Sequence, residues 1–200
     1  MLGRKLKKNA KYEAFAYLSG VKVYGRASLL EFERRGELGT VALFELTPKL
    51  SRALCFQTKK ELVVKVEGRF YRGDVTYQSG KQVSVANWKL YDEKREYIRV
   101  EIPYFEQGGK LCFGEEEFKC RVLDVSEKGA GIKLNKRIPV KVGSKVGLLW
   151  NNLSMSAEVV GVKESEEGMR ISLRFDRVSS PKALSSYIVS RQKDVASLLS

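Results

Sequence analysis

The feature that most limits the folds open to this chain is a rhythm of short apolar runs cut by glycine. From Val21 onward, runs such as Val41-Ala42-Leu43-Phe44, Ala53-Leu54-Cys55-Phe56 and Leu62-Val63-Val64-Lys65-Val66 recur at intervals of roughly ten residues. Gly36, Gly39, Gly68, Gly73 and Gly80 fall between them. The runs are rich in β-branched and aromatic residues, and their spacing predicts a small antiparallel barrel or sandwich. The second half keeps the rhythm. Phe118, Cys120 and Val122 alternate with Lys119 and Arg121, as a half-buried strand requires. Met169, Ile171, Leu173 and Phe175 share one face of a later strand, with Arg170, Ser172 and Arg174 on the other. After Ser179-Ser180-Pro181 the period changes. Apolar residues at Leu184, Tyr187, Ile188, Val195, Leu198 and Leu199 predict a C-terminal amphipathic helix packed against the barrel.

Two hundred residues accommodate two small domains. The charged stretch from Leu90 to Glu96 marks their junction, giving a first domain at 1–90 and a second at 91–200. The expected fold is therefore mainly β: two small antiparallel β-barrel domains, the second closed by a C-terminal α-helix. The formal charge of +13 divides unevenly. Residues 1–90 hold 18 basic and 8 acidic side chains, whereas residues 91–200 hold 19 and 16. Arg4, Lys5, Lys7, Lys8 and Lys11 are the densest part of that excess and read as a mobile basic arm. An anionic partner is expected.

The chain contains no histidine, which removes the commonest general base, the Ser-His-Asp and Cys-His triads and the commonest zinc ligand. Cys55, Cys112 and Cys120 form no C-x-x-C pair and read as small buried hydrophobes. Glu115-Glu116-Glu117 and the run Glu164 to Glu167 read as solvated turns, leaving no metal site and no enzyme. No apolar stretch suggests a signal peptide or membrane span, so a reduced, cytoplasmic, bacterial protein is expected.

Two motifs stand out in the second half. Arg95-Glu96-Tyr97-Ile98-Arg99, an R-x-x-x-R preceded by Lys94, lies at the junction. Asp124-Val125-Ser126-Glu127-Lys128-Gly129, a D-x-S-x-x-G, joins two strands. In this order, followed by Gly129-Ala130-Gly131-Ile132, a hairpin from Val140 to Leu149 and the strand Ile171-Ser172-Leu173-Arg174-Phe175, they resemble the PilZ domain family over roughly residues 91–190. Many such proteins carry a second β-barrel in front.

The resemblance implies a receptor for the bacterial messenger cyclic di-GMP, with no cofactor and no catalysis. It implies Arg95 and Arg99 as phosphate and guanine ligands, with Asp124, Ser126 and Gly129 reading the second side. Lys94 and Arg174 stand at the margin of this set. The residue before the first arginine is linked in that family to whether one ligand or a stacked pair binds. Arginine suits the ligand because its planar fork grips phosphate or guanine O6 and N7 and its face stacks on a base. The Asp124 carboxylate matches the N1–H and N2–H donors of a guanine. An interdomain switch acting on a protein partner through the first domain is the implied mechanism. Family members act on motility, polysaccharide, pilus or transcription machinery. The alternative is a nucleic-acid-binding barrel that uses the basic first half, with Tyr12, Tyr17, Tyr24, Phe70, Tyr71 and Tyr77 as stacking candidates.

Overall fold

The computed structural model describes residues 5–35, 39–57, 59–92 and 97–200. The chain divides into two compact units, Met1–Lys94 with Val195–Ser200, and Arg95–Asp194. Both are built from antiparallel strands.

The first unit comprises β1 (Lys11–Leu18), β2 (Val21–Arg35), β3 (Gly39–Leu46), α1 (Pro48–Cys55), β4 (Glu61–Val66), β5 (Arg69–Ser79) and β6 (Gln82–Leu90). The strands close into a barrel in the order β1-β2-β3-β6-β5-β4, with Ala14↔Val64 and Phe15↔Val63 sealing the last seam. Closure leaves no open edge for another strand to join. Alternation selects what lines the interior: Ala14, Ala16, Ala27 and Ala42 set small side chains against Phe44, Leu29, Leu62 and Val64. A barrel of six strands has room for only such a mixture of small and large residues.

Three sequence expectations change here. Ala53-Leu54-Cys55-Phe56, read as a strand, mostly belongs to helix α1, which starts on Pro48 and buries Leu50, Ala53 and Leu54. Those apolar positions follow the i, i+3, i+4 spacing of a helix, which a four-residue window does not reveal. Cys55 is consequently exposed on that helix, whereas Cys120 is buried and its thiol is pushed up to about 12 by desolvation. The basic arm is anchored from Lys5 onward. Lys5 pairs with Glu67 at 2.9 Å, Asn9 N–H donates to Leu29 O, and Leu6 joins the barrel core at 5% exposure. One apolar side chain among the lysines thus fixes a segment that charge alone marks as free. Leu6→Ala is expected to destabilise the first unit by about 2–3 kcal/mol, a loss readable by urea denaturation. A change below about 0.5 kcal/mol would mean that Leu6 does not plug the barrel.

The second unit contains β7 (Arg99–Glu101), a 3-10 turn at Tyr104–Glu106, β8 (Gly108–Phe113), β9 (Glu116–Ser126), β10 (Gly129–Leu134), β11 (Lys145–Trp150), β12 (Leu153–Ser165), β13 (Gly168–Val178) and α2 (Pro181–Leu198). Its sheet runs β10-β13-β12-β11-β8-β9-β7 and closes through β10–β9 pairing, so β8, β9, β10, β13, β12 and β11 form a barrel. β7 extends the edge of β9 that β8 begins. Met169, Ile171, Leu173 and Phe175 point into this barrel. On α2, Leu184 and Ile188 are buried, and Tyr187 donates to Glu106 Oε2 at 2.5 Å while its ring packs edge-on against Trp150.

Where the sequence reading carries the second domain to Ser200, the last six residues group with the first unit. Val195 and Leu199, four apart and so on one helical face, are buried with Leu18, Val23 and Ala53. Arg52 also donates to the carbonyls of Leu199 and Ser200. No helix among the described residues is long and apolar enough to cross a membrane.

Candidate functional site

The D-x-S-x-x-G segment is the turn between β9 and β10. Ser126 and Gly129 are cross-strand partners, and the buried Ser126 hydroxyl donates to Gly129 O at 3.2 Å. The turn is therefore closed by its own motif serine. Gly129 lies opposite Arg174 of β13, and its missing side chain lets the Leu173 carbonyl come close. Beyond the tip, Glu127 accepts from the Ser185 hydroxyl of α2, and the Lys128 ammonium lies 5.9 Å from the Tyr97 ring.

Two positions back along β9, Asp124 is buried, and its carboxylate divides between two arginines. Arg99 Nη1 donates to Oδ1 at 2.8 Å, and Arg170 Nη2 donates to Oδ2 at 3.0 Å. Sheet order explains the meeting. β7, carrying Arg99, pairs with one edge of β9; β10 pairs with the other and lies beside β13, carrying Arg170. Gly131, opposite Asp124 on β10, leaves the carboxylate its space. A buried carboxylate is tolerated only when paired and hydrogen-bonded, and here each oxygen has its own guanidinium. Among the described residues each arginine spends one donor, on Asp124, which leaves others that could meet a further anion. Both guanidinium-bearing side chains remain accessible, 30% for Arg99 and 55% for Arg170.

The sequence-predicted residues thus separate. Arg99 and Asp124 come into direct contact, Ser126 and Gly129 shape the adjoining turn, and Lys94 and Arg95 lie outside the described residues. Arg174 turns to Glu158 at 3.0 Å; Lys145 and Arg174 hold the Glu158 carboxyl below its usual range, with the Lys145 bond foremost. The residue missed is Arg170. Alternation placed it on the solvated face of its strand, but only cross-strand register brings it to Asp124. Three glutamates of the two acidic runs engage surface cations: Glu117 with Lys110, Glu164 with Arg137 and Glu167 with Lys133. Of the candidate stacking aromatics, Tyr12 and Tyr71 pack against the first barrel's core, while Tyr24 and Tyr77 are exposed.

Residues 93–189 match the family profile described as PilZ domain. Among solved structures, the chain is similar to the Bacillus subtilis inhibitor of motility MotI/DgrA, at 13% identity and a TM-score of 0.45 over 94% of this chain and 99% of that one. It is similar also to YcgR of Escherichia coli in complex with c-di-GMP, at 12% identity and a TM-score of 0.43 over 93% and 86%. A third similar structure is the K. pneumonia MrkH–c-di-GMP complex, at 9% identity and a TM-score of 0.48 over 98% and 92%. No curated protein matches the chain.

Proposed function

We propose that this chain, whose residues 93–189 are a PilZ domain, is a receptor for cyclic di-GMP and acts by binding rather than by catalysis. The observation that carries the reading is the Asp124 carboxylate holding Arg99 and Arg170 with unspent donors beside the D-x-S-x-x-G turn. Guanidinium forks suit the two phosphodiesters and the O6/N7 edges of the two guanines. Asp124 aims both arginines and keeps lone pairs for a guanine N–H. Arg95 joins Arg99 as a ligand by the family's motif, and Lys94 bears on stoichiometry. Ser126 and Gly129 hold the turn against the ligand, and Arg174 contributes charge from the neighbouring strand.

Binding would draw the arginine-bearing segment onto the ligand and change how the two barrels meet, and a protein partner would read that change. Calorimetry with cyclic di-GMP on the full chain tests the receptor, and absence of heat at saturating ligand sinks it. Distances between spin labels on the two barrels test the switch; distributions that do not move on binding overturn it while leaving the receptor standing.

A further inference from the structure

Four cations stand directly opposite one another across four neighbouring strands of the second unit. Arg121 on β9 pairs with Lys133 on β10, Lys133 with Arg170 on β13, and Arg170 with Lys163 on β12. The adjoining Val122, Ile132 and Ile171 are buried in the barrel, so the row lies on its outer face. With strands about 4.8 Å apart, the row is about 14 Å long. Like charges directly opposite one another destabilise a sheet, and an anion laid along them removes that cost. Among the described residues, carboxylates reach two of the four: Asp124 holds Arg170 and Glu167 holds Lys133. Arg121 gives two donors to the neutral Gln107 side chain. Lys163 has no ion pair among the described residues, and the adjoining Glu164 is taken by Arg137.

An aromatic pair stands at the Arg121 end of the row. The Arg121 guanidinium lies 4.7 Å from the centroid of the Tyr104 ring, and Tyr104 and Phe105 are 77% and 84% exposed. Their turn is fastened from its inner side. Glu106 N–H donates to Pro103 O at 2.9 Å, and the Glu106 carbonyl accepts from Trp150 Nε1 at 2.8 Å. Gln107 Nε2 donates to Ile102 O at 2.8 Å. A fixed turn thus holds two large rings in solvent, and a large apolar surface left open is informative where a single scattered one is not. Cations in file with rings at their end complement a polymer that alternates phosphates with bases. A bilayer offers charge over an area, whereas these cations form one line that ends on the rings.

We infer that this row is a track for single-stranded nucleic acid. Arg121, Lys133, Arg170 and Lys163 take its phosphates, while Tyr104 and Phe105 take bases at one end. The track lies on the second unit, not on the basic first half. Arg170 also belongs to the proposed cyclic di-GMP site, so the messenger and the strand exclude each other. That exclusion rests on the receptor reading; the track itself does not.

The probe is a fluorescein-labelled oligothymidine, titrated with the full chain and read by anisotropy across a salt series. Phe105→Ala should weaken binding about tenfold, the loss of one stacked base. Lys163→Gln should flatten the slope of log affinity against log salt by about 0.7, the loss of one phosphate contact. Both side chains are exposed and lie outside the proposed cyclic di-GMP site. These variants should therefore keep the wild-type Tm and the wild-type calorimetric titration with cyclic di-GMP. Saturating cyclic di-GMP should release the oligothymidine. Variants that bind the oligothymidine as the wild type does overturn the track, because the strand is then held elsewhere, the basic first barrel included. Tighter binding to phosphatidylserine vesicles or to polyglutamate, lost on the same substitutions, overturns it in favour of a membrane or an acidic protein. An oligothymidine that stays bound beside bound cyclic di-GMP overturns the exclusion. A chain that takes no cyclic di-GMP ends the receptor reading, and the two variants still decide the track.

Discussion

Arg99→Ala is expected to cost cyclic di-GMP affinity about a hundredfold while leaving the protein folded. Truncating one member of a hydrogen-bonded charge pair removes about 2–5 kcal/mol at a binding site, and each 1.4 kcal/mol is about tenfold. On the proposed reading Arg99 carries two roles at once: it would supply donors to the ligand, and it balances one oxygen of a buried carboxylate. Stability should fall by only about 1 kcal/mol, because Asp124 keeps Arg170 and can take water on the oxygen that Arg99 leaves. Arg99→Lys separates the roles. It restores the charge beside Asp124 without the planar fork, so stability should recover further than affinity. Asp124→Asn is the complementary change. It removes the negative charge between two guanidiniums and turns one acceptor into a donor facing a donor, so it should weaken ligand binding at least as much. Calorimetry and urea melts on the same samples read both quantities. Arg99→Ala affinity within about threefold of wild type would remove Arg99 from the site.

How much of this was legible in the sequence depends on how far apart the interacting residues lie. Strand alternation is local, so the inward faces of β9 and β13 could be read directly from Phe118-Cys120-Val122 and Met169-Ile171-Leu173-Phe175. The D-x-S-x-x-G turn was legible for the same reason, since Ser126 closes on Gly129 three residues away. Arg170 was not, because it is 46 residues from Asp124 and the link passes through the registers of β9, β10 and β13. Helix α1 was hidden by its length: eight residues give one full cycle of the apolar pattern, and part of it imitates a strand. Leu6 was masked by its lysines, since a charge count says nothing about a single side chain that finds a core.

Two glycines two residues apart on β10 should fail in opposite ways. A Cβ at Gly129 would sit 2.2 Å from the carbonyl oxygen of Leu173, which is backbone in the paired strand β13. Gly129 is not in the left-handed region, so its need is for space alone. That oxygen cannot swing aside as a side chain can; β10 and β13 must separate, breaking ladder bonds on a core strand. Gly129→Ala should therefore destabilise the second unit by about 3 kcal/mol, the upper part of the range for overpacking. For a domain of about a hundred residues that lowers Tm by roughly 12–24 °C. A Cβ at Gly131 would instead meet Asp124, 2.7 Å from Oδ2 and 2.9 Å from Oδ1. A carboxylate can turn away, but only by leaving Arg99 and Arg170, so the strain falls on the charge arrangement and spares the ladder. Gly131→Ala should accordingly lose about tenfold or more in cyclic di-GMP affinity with a smaller fall in Tm. Calorimetric melting of the two variants, followed by titration of whichever remains folded, gives the comparison. A Gly129→Ala protein melting within about 3 °C of wild type would show that Leu173 does not approach this closely. A Gly131→Ala protein with unaltered affinity would show that ligand recognition does not depend on where Asp124 holds its arginines.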